Sequence, residues 1–419
     1  MRRWIGAVGL LLLLGAPSHA EPAETAEPAD WERFLDNDWY EVSLDLRNRM
    51  ELANFEGPTD LSRAFTSRLR AGIGNEPWFG LSGYAELESS WSWDNGAYWD
   101  VVTVPNREGL TPVADPRKTD LNQLFLKYEN QDFLGVSAIA GRQRIILDDA
   151  RFVGNVGWRQ NEQTYDAALG RTSLGLEGLV ASYGYLRKIH RIFGNKGPAA
   201  NRDWSSDSHL LNVTWTGFEP LAVTAFAYLL DFKSDSPGNS ANSWGLRAHG
   251  ATKLSEDWKV AYAGSYAYQE DTGQNPVNYR ADYVAADGSL GFAPLGTFGL
   301  GYELLGSDGG NARFVTPLAT AHKFNGFADV FVNNGGPAGL QDFYVYLAPK
   351  LPWKLSGRLV YHHFWSDDGG TVLGEEYDFV LSRPINRWVS VLTKGALFES
   401  KTRTLNDGWR YWLEFTVAY

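Results

Sequence analysis

The chain has 419 residues, no cysteine and a formal net charge of −12 at pH 7. The lack of cysteine excludes a disulfide framework and a thiolate metal site, and the acidic balance argues against a nucleic-acid partner. Beyond the amino terminus no run reaches the ~18 apolar residues that a spanning helix needs.

The first 20 residues read as a secretory signal peptide. Arg2 and Arg3 give a basic start, Ile5 to Ala16 a short apolar stretch, and Ser18 and Ala20 the small residues before a cleavage point at Glu21. Residues 21–39, rich in Ala, Pro and Glu, read as a tether with nothing to pack. From Tyr40 to Tyr419, strand-length segments of alternating polarity recur between turn-forming clusters. In Tyr40 to Glu51, Val42, Leu44, Leu46 and Met50 face one way, and Ser43, Asp45, Arg47 and Arg49 the other. Trp258 to Gln269 and Trp353 to Trp365 repeat the pattern.

Connectors alternate in length. Eight short ones, such as Gly74–Pro77 and Gly217–Pro220, interleave with nine long ones, such as Leu147–Gln160 and Gly306–Leu340. Short turns on one side and long loops on the other mark an outer-membrane barrel. The expected fold is therefore an all-β transmembrane antiparallel barrel of about 18 strands with both termini on the short-turn side. That count requires Phe324 to Phe331 to lie in a loop. The final segment, Trp409 to Tyr419, has an apolar face that continues to a carboxy-terminal aromatic. Such an edge is avoided in soluble proteins; here it reads as the closing strand, with outer-membrane lipid on one side. It also looks like the signal that the barrel assembly machinery reads, with Tyr419 as its last residue.

Arginines recur at i and i+2, which a strand stacks on one wall. The pairs are Arg47/Arg49, Arg68/Arg70 and Arg142/Arg144, opposite the apolar face, and Arg247 and Arg358 share that inferred side. A guanidinium fork binds carboxylates with two hydrogen bonds, so a ladder of them offers an anionic chain successive stations. The competing reading is that they pair with lumen acids such as Asp45, Glu86, Glu88, Asp166 and Glu376 and only stiffen the wall. The segment G-R-Q-R-I-I-L-D-D-A-R-F-V-G-N-V-G-W-R-Q-N-E-Q-T-Y-D (141–166) and the segment F-V-T-P-L-A-T-A-H-K-F-N-G-F-A-D-V-F-V (314–332) resemble the alginate export family of outer-membrane porins. The resemblance implies an arginine-lined passage for an acidic polysaccharide or uronate oligomer. It also implies that Arg142 and Arg144 line the lumen, while Arg151, Trp158 and Arg159 sit on a loop folding toward the mouth. The alternative is a diffusion porin that takes up small solutes.

Catalytic, metal and cofactor roles find little support. His362 and His363 are adjacent, so on a strand they face opposite sides and share no metal. No metalloprotease, nucleophile-elbow or phosphate-loop pattern occurs. Glu86 and Glu88 share one face but read as wall charges rather than a glycosidase pair. Asp148/Asp149 and Asp367/Asp368 read as loop acids rather than cation ligands. The chain is thus expected to be a channel, not an enzyme, in the outer membrane of a Gram-negative bacterium, with no cofactor and no metal.

Overall fold

The computed structural model describes residues 39–57, 60–94, 97–102, 109–195 and 202–419. The segments read from sequence as a signal peptide and a tether, up to residue 38, lie outside them.

Eighteen strands follow one another in an antiparallel sheet. The first nine are β1 (Tyr40–Phe55), β2 (Ser62–Asn75), β3 (Leu81–Ser92), β4 (Lys118–Asn130), β5 (Val136–Gln143), β6 (Thr164–Thr172), β7 (Leu179–His190), β8 (Trp204–Phe218) and β9 (Leu221–Leu230). The second nine are β10 (Ala241–Lys253), β11 (Trp258–Asp271), β12 (Arg280–Phe292), β13 (Gly296–Leu305), β14 (Leu340–Pro349), β15 (Ser356–Trp365), β16 (Val372–Pro384), β17 (Val389–Ser400) and β18 (Gly408–Ala418). Each strand pairs with its neighbours in sequence, and β1 pairs with both β2 and β18, so the sheet closes. At the seam Leu44 and Tyr419 exchange backbone hydrogen bonds of 3.0 and 2.7 Å. Closure removes every free edge, which a sheet in lipid requires.

The alternation decides which face meets lipid. Leu246 is 57% exposed and Leu300 48%, whereas Arg247 and Glu303, at odd spacing from them on the same strands, point into the barrel. Leu44, Phe415 and Leu413 lie on the outer face, and Arg47, Arg49 and Glu414 on the inner. A one-residue slip would exchange the two sets. Eight turns of two to six residues lie on one rim and nine connections of six residues or more on the other, and residues 324–331 fall in a loop, as the strand count requires.

Two of the long loops turn inward. The β5–β6 loop (144–163) and the β13–β14 loop (306–339) bury Ile145, Val153, Trp158, Phe314, Leu318 and Phe331 in one cluster with wall residues such as Tyr228, Tyr283 and Trp412. The interior is therefore a packed constriction rather than an open bore. β5 ends at Gln143, one residue short of the expected Arg142/Arg144 strand pair. Arg144 opens the inward loop instead, because its guanidinium follows Glu162 on that loop at 2.6 Å.

Candidate functional site: a constriction with a basic row

The constriction is built around buried ion pairs. Glu162, from the β5–β6 loop, has no exposed side-chain surface. It receives Arg144 at 2.6 Å, Arg70 at 3.4 Å, Asn122 Nδ2 at 2.6 Å and Asn155 Nδ2 at 2.9 Å. Arg70 also bonds Glu88 at 2.7 Å, and Arg144 lies 3.7 Å from Glu86. Arg68 pairs with Asp45 across the β1–β2 ladder. Arg49 reaches Glu414 at 2.6 Å, with its guanidinium 4.1 Å from the Trp158 ring. Arg151 bonds Glu303 at 2.7 and 2.9 Å, and Arg159 joins Glu51 at 3.3 Å and Asp329.

These pairs fix the two loops to the wall and to each other. Gly154 N donates to Leu318 O at 2.9 Å, Thr320 N donates to Ala150 O at 3.0 Å, and Trp158 stacks on His322 at 4.8 Å. The β13–β14 loop is held from behind by β16. Phe327 N donates to Asp378 at 3.0 Å and Ala328 N to Glu376 at 2.6 Å, while Arg410 Nε donates to Ala328 O at 2.8 Å. Gly326, at φ +84°, makes the turn possible, because a Cβ there would press into the Glu376 carboxylate. Glu376, considered from sequence as an arginine partner, instead accepts this loop amide.

The expected ladder residues thus divide. Arg49, Arg68, Arg70, Arg151 and Arg159 are buried with carboxylate partners. Arg47 is partly exposed; it lies 3.4 Å from Glu414 and donates to the carbonyls of Gly157 and Trp158. Arg142, also partly exposed, pairs with Asp166 at 2.9 Å. Arg247 pairs with Asp149 at 2.7 Å. Arg358 differs: no carboxylate lies within ion-pair distance of it among the described residues, and its Nε has no partner. Its guanidinium rests 3.9 Å from the Tyr346 ring.

Sequence reading missed Lys323, on the inward β13–β14 loop. Its Nζ donates to Asp149 O at 2.8 Å, and no carboxylate pairs with it among the described residues. Burial holds its ammonium below the usual lysine range; Asp149 opposes the shift, and the like charges of Arg247 and Arg358 reinforce it. Arg247 from β10, Lys323 from the loop and Arg358 from β15 are thus close enough to act on one another, with Asp149 paired to Arg247 and Asp148 beside it. A lysine in a stretch without any acidic residue (T-A-H-K-F-N-G-F) was the available signal.

The wall beside this row is shaped by missing side chains. Gly299 and Gly301 on β13 leave room for Tyr346 and Tyr344 to lie across the strand. Both hydroxyls donate to Asp287, at 3.2 and 3.1 Å. No group of three or more His, Asp or Glu with metal-binding geometry occurs among the described residues. His362 is buried against Asp342 at 2.9 Å, while its neighbour His363 lies 3.5 Å from Glu375 on the other face. Asp149 is taken by Arg247, and Asp367 accepts Ser307 N at 2.8 Å.

No family model matches the chain and no curated protein matches it. Solved structures do. OpdK of Pseudomonas aeruginosa, solved with vanillate, is 15% identical with a TM-score of 0.70, over 91% of this chain and 98% of that one. OccAB4 of Acinetobacter baumannii is 14% identical with a TM-score of 0.68, over 91% and 98%. OccAB3 of the same species is 12% identical with a TM-score of 0.69, over 91% and 99%. The shared fold is that of an 18-stranded outer-membrane barrel, and the resemblance to alginate exporters holds at that level only.

Proposed function

We propose that this barrel is a diffusion channel that takes small carboxylate-bearing solutes across the outer membrane, with Arg247, Lys323 and Arg358 receiving the carboxylate. The observation that carries this reading is the uneven compensation of charge. Eight of the ten arginines named from sequence lie against a carboxylate other than Asp149, whereas Lys323 and Arg358 have no ion-pair partner among the described residues. A desolvated cation without a counter-ion favours an anionic guest, and each charge-assisted hydrogen bond contributes roughly 1.5–3 kcal/mol. Vanillate, present with OpdK, is itself a carboxylate, which agrees with this choice.

A polymer fits less well. Passage of a uronate chain needs successive free stations, and Arg68, Arg70 and Arg144 are already occupied by Asp45, Glu88 and Glu162. Two loops bonded to each other across the lumen also leave little width for a polysaccharide.

Substitution separates the site from the anchorage. Lys323→Glu and Arg358→Glu should each lower the anion-to-cation permeability ratio and weaken current block by benzoate about tenfold, about 1.4 kcal/mol. Arg247→Glu should do less, because Asp149 already offsets Arg247. The folded amount should hold, since lumen changes alter selectivity more than stability. Unaltered block in both Lys323→Glu and Arg358→Glu would remove the site from the passage.

A further inference from the structure

A second cavity lies at the loop-side rim, away from the basic row. It has a volume of about 140 Å³, between the β9–β10 loop, the β11–β12 loop and the two ends of the β13–β14 loop. Val277, Val315 and Pro337 give it apolar walls, and Arg313 supplies its charge. Arg313 Nε and Nη2 both donate to Asn333 O, at 3.1 and 2.6 Å. That fixes the guanidinium plane and leaves the Nη1 edge without a hydrogen-bond partner among the described residues. No carboxylate lies within ion-pair distance of Arg313 among the described residues. The nearby acids are engaged elsewhere: Asp271 accepts Tyr279 N at 2.9 Å, and Asp308 accepts Arg280 N at 3.3 Å. Burial lowers the Arg313 pKa and the neighbouring Tyr279 opposes the shift, so the guanidinium is partly desolvated.

We propose that this rim cavity is an entry station for the channel's solute: Arg313 holds the carboxylate, and Val277, Val315 and Pro337 hold the apolar part. The proposal rests on the channel reading above and adds where capture begins. Its physical basis is the charge of the surroundings. A chain of net charge −12, with Glu270, Asp271 and Asp308 at this rim, slows the approach of anions. One fixed cation in a small apolar recess gives an anion a local foothold, and such steering acts on the association rate. The cavity's size suits a small amphipathic acid and not a saccharide chain.

The test is single-channel block by benzoate added separately to the loop side and to the turn side. Arg313→Gln should lower the association rate from the loop side roughly threefold or more. The rate from the turn side, the residence time and the open-channel conductance should stay unchanged, which also reports that the loop has kept its place. Arg313→Lys, which keeps the charge, should recover most of the rate. Block that persists with the same loop-side rate in Arg313→Gln would overturn the entry station alone. A change of equal size from both sides would overturn it as well. Absence of block in the unmutated channel from either side would overturn both this proposal and the channel reading.

Discussion

Gly326→Val should open the channel, with unitary conductance rising severalfold in a barrel that still assembles. Gly326 sits at φ +84°, where a β-branched residue is strained, and any Cβ meets the Glu376 carboxylate. The turn that follows is gripped by Asp378 and Glu376 through two backbone amides and by Arg410 through one carbonyl. A valine cannot occupy the turn, so all three bonds are lost together and the β13–β14 loop leaves the lumen. The strand ladder uses none of these groups, so heat-modifiable mobility of the folded barrel should persist. Gly336, in the same loop, has ordinary φ and open space around it. Gly336→Val is therefore the matched control and should leave conductance unaltered. Equal conductance in both variants would mean that the clamp does not set the width of the passage.

Glu162→Leu should release the other loop. Removing this carboxylate leaves Arg70 and Arg144 buried beside a gap, and an uncompensated buried charge costs about 3–5 kcal/mol. Arg70 keeps Glu88, and Arg144 keeps only the more distant Glu86, so Arg144 should suffer most. The expected results are noisy, larger currents and proteolysis between residues 144 and 163, both absent in the unmutated protein. The pH dependence follows from the same contacts. Burial alone would raise the Glu162 carboxyl pKa, but Arg144 and Arg70 outweigh it and hold it well below the usual carboxylate range. A depressed folded value means that its stabilisation is complete above the ordinary Glu value of about 4.3 and is lost as pH falls toward the lowered one. Loop docking should therefore survive mild acid. Release of the loop between pH 6 and 5 would assign its hold to some other group.

The wall was readable from sequence, and the constriction largely was not. Period-two alternation in β1, β11 and β18 determines which residues meet lipid, because a strand has only two faces. The parity of short and long connectors gave the strand number for a similar reason: hairpins must return. Compensation of charge has no such local rule. Arg49 meets Glu414 across the closing seam, and Arg151 meets Glu303 through a loop folded inward, at separations of 365 and 152 residues. Arg68/Asp45 and Arg142/Asp166 were nearer to hand, since adjacent strands bring them opposite or diagonal to each other. Glu162 and Lys323 sit on aperiodic loops, where neither face nor partner can be inferred from spacing. Arg358 was placed on the same inferred side as the paired arginines, and only the folded chain separates it from those already bonded to carboxylates.

The ion selectivity of the unmutated channel in a salt gradient tests the central claim most directly. The row of Arg247, Lys323 and Arg358, in which Lys323 and Arg358 have no ion-pair partner among the described residues, should make the passage prefer anions, despite the net charge of −12. The account predicts a reversal potential on the anion-selective side, together with concentration-dependent block by benzoate that fails with its neutral analogue benzamide. A cation-selective reversal potential with no benzoate block would contradict it.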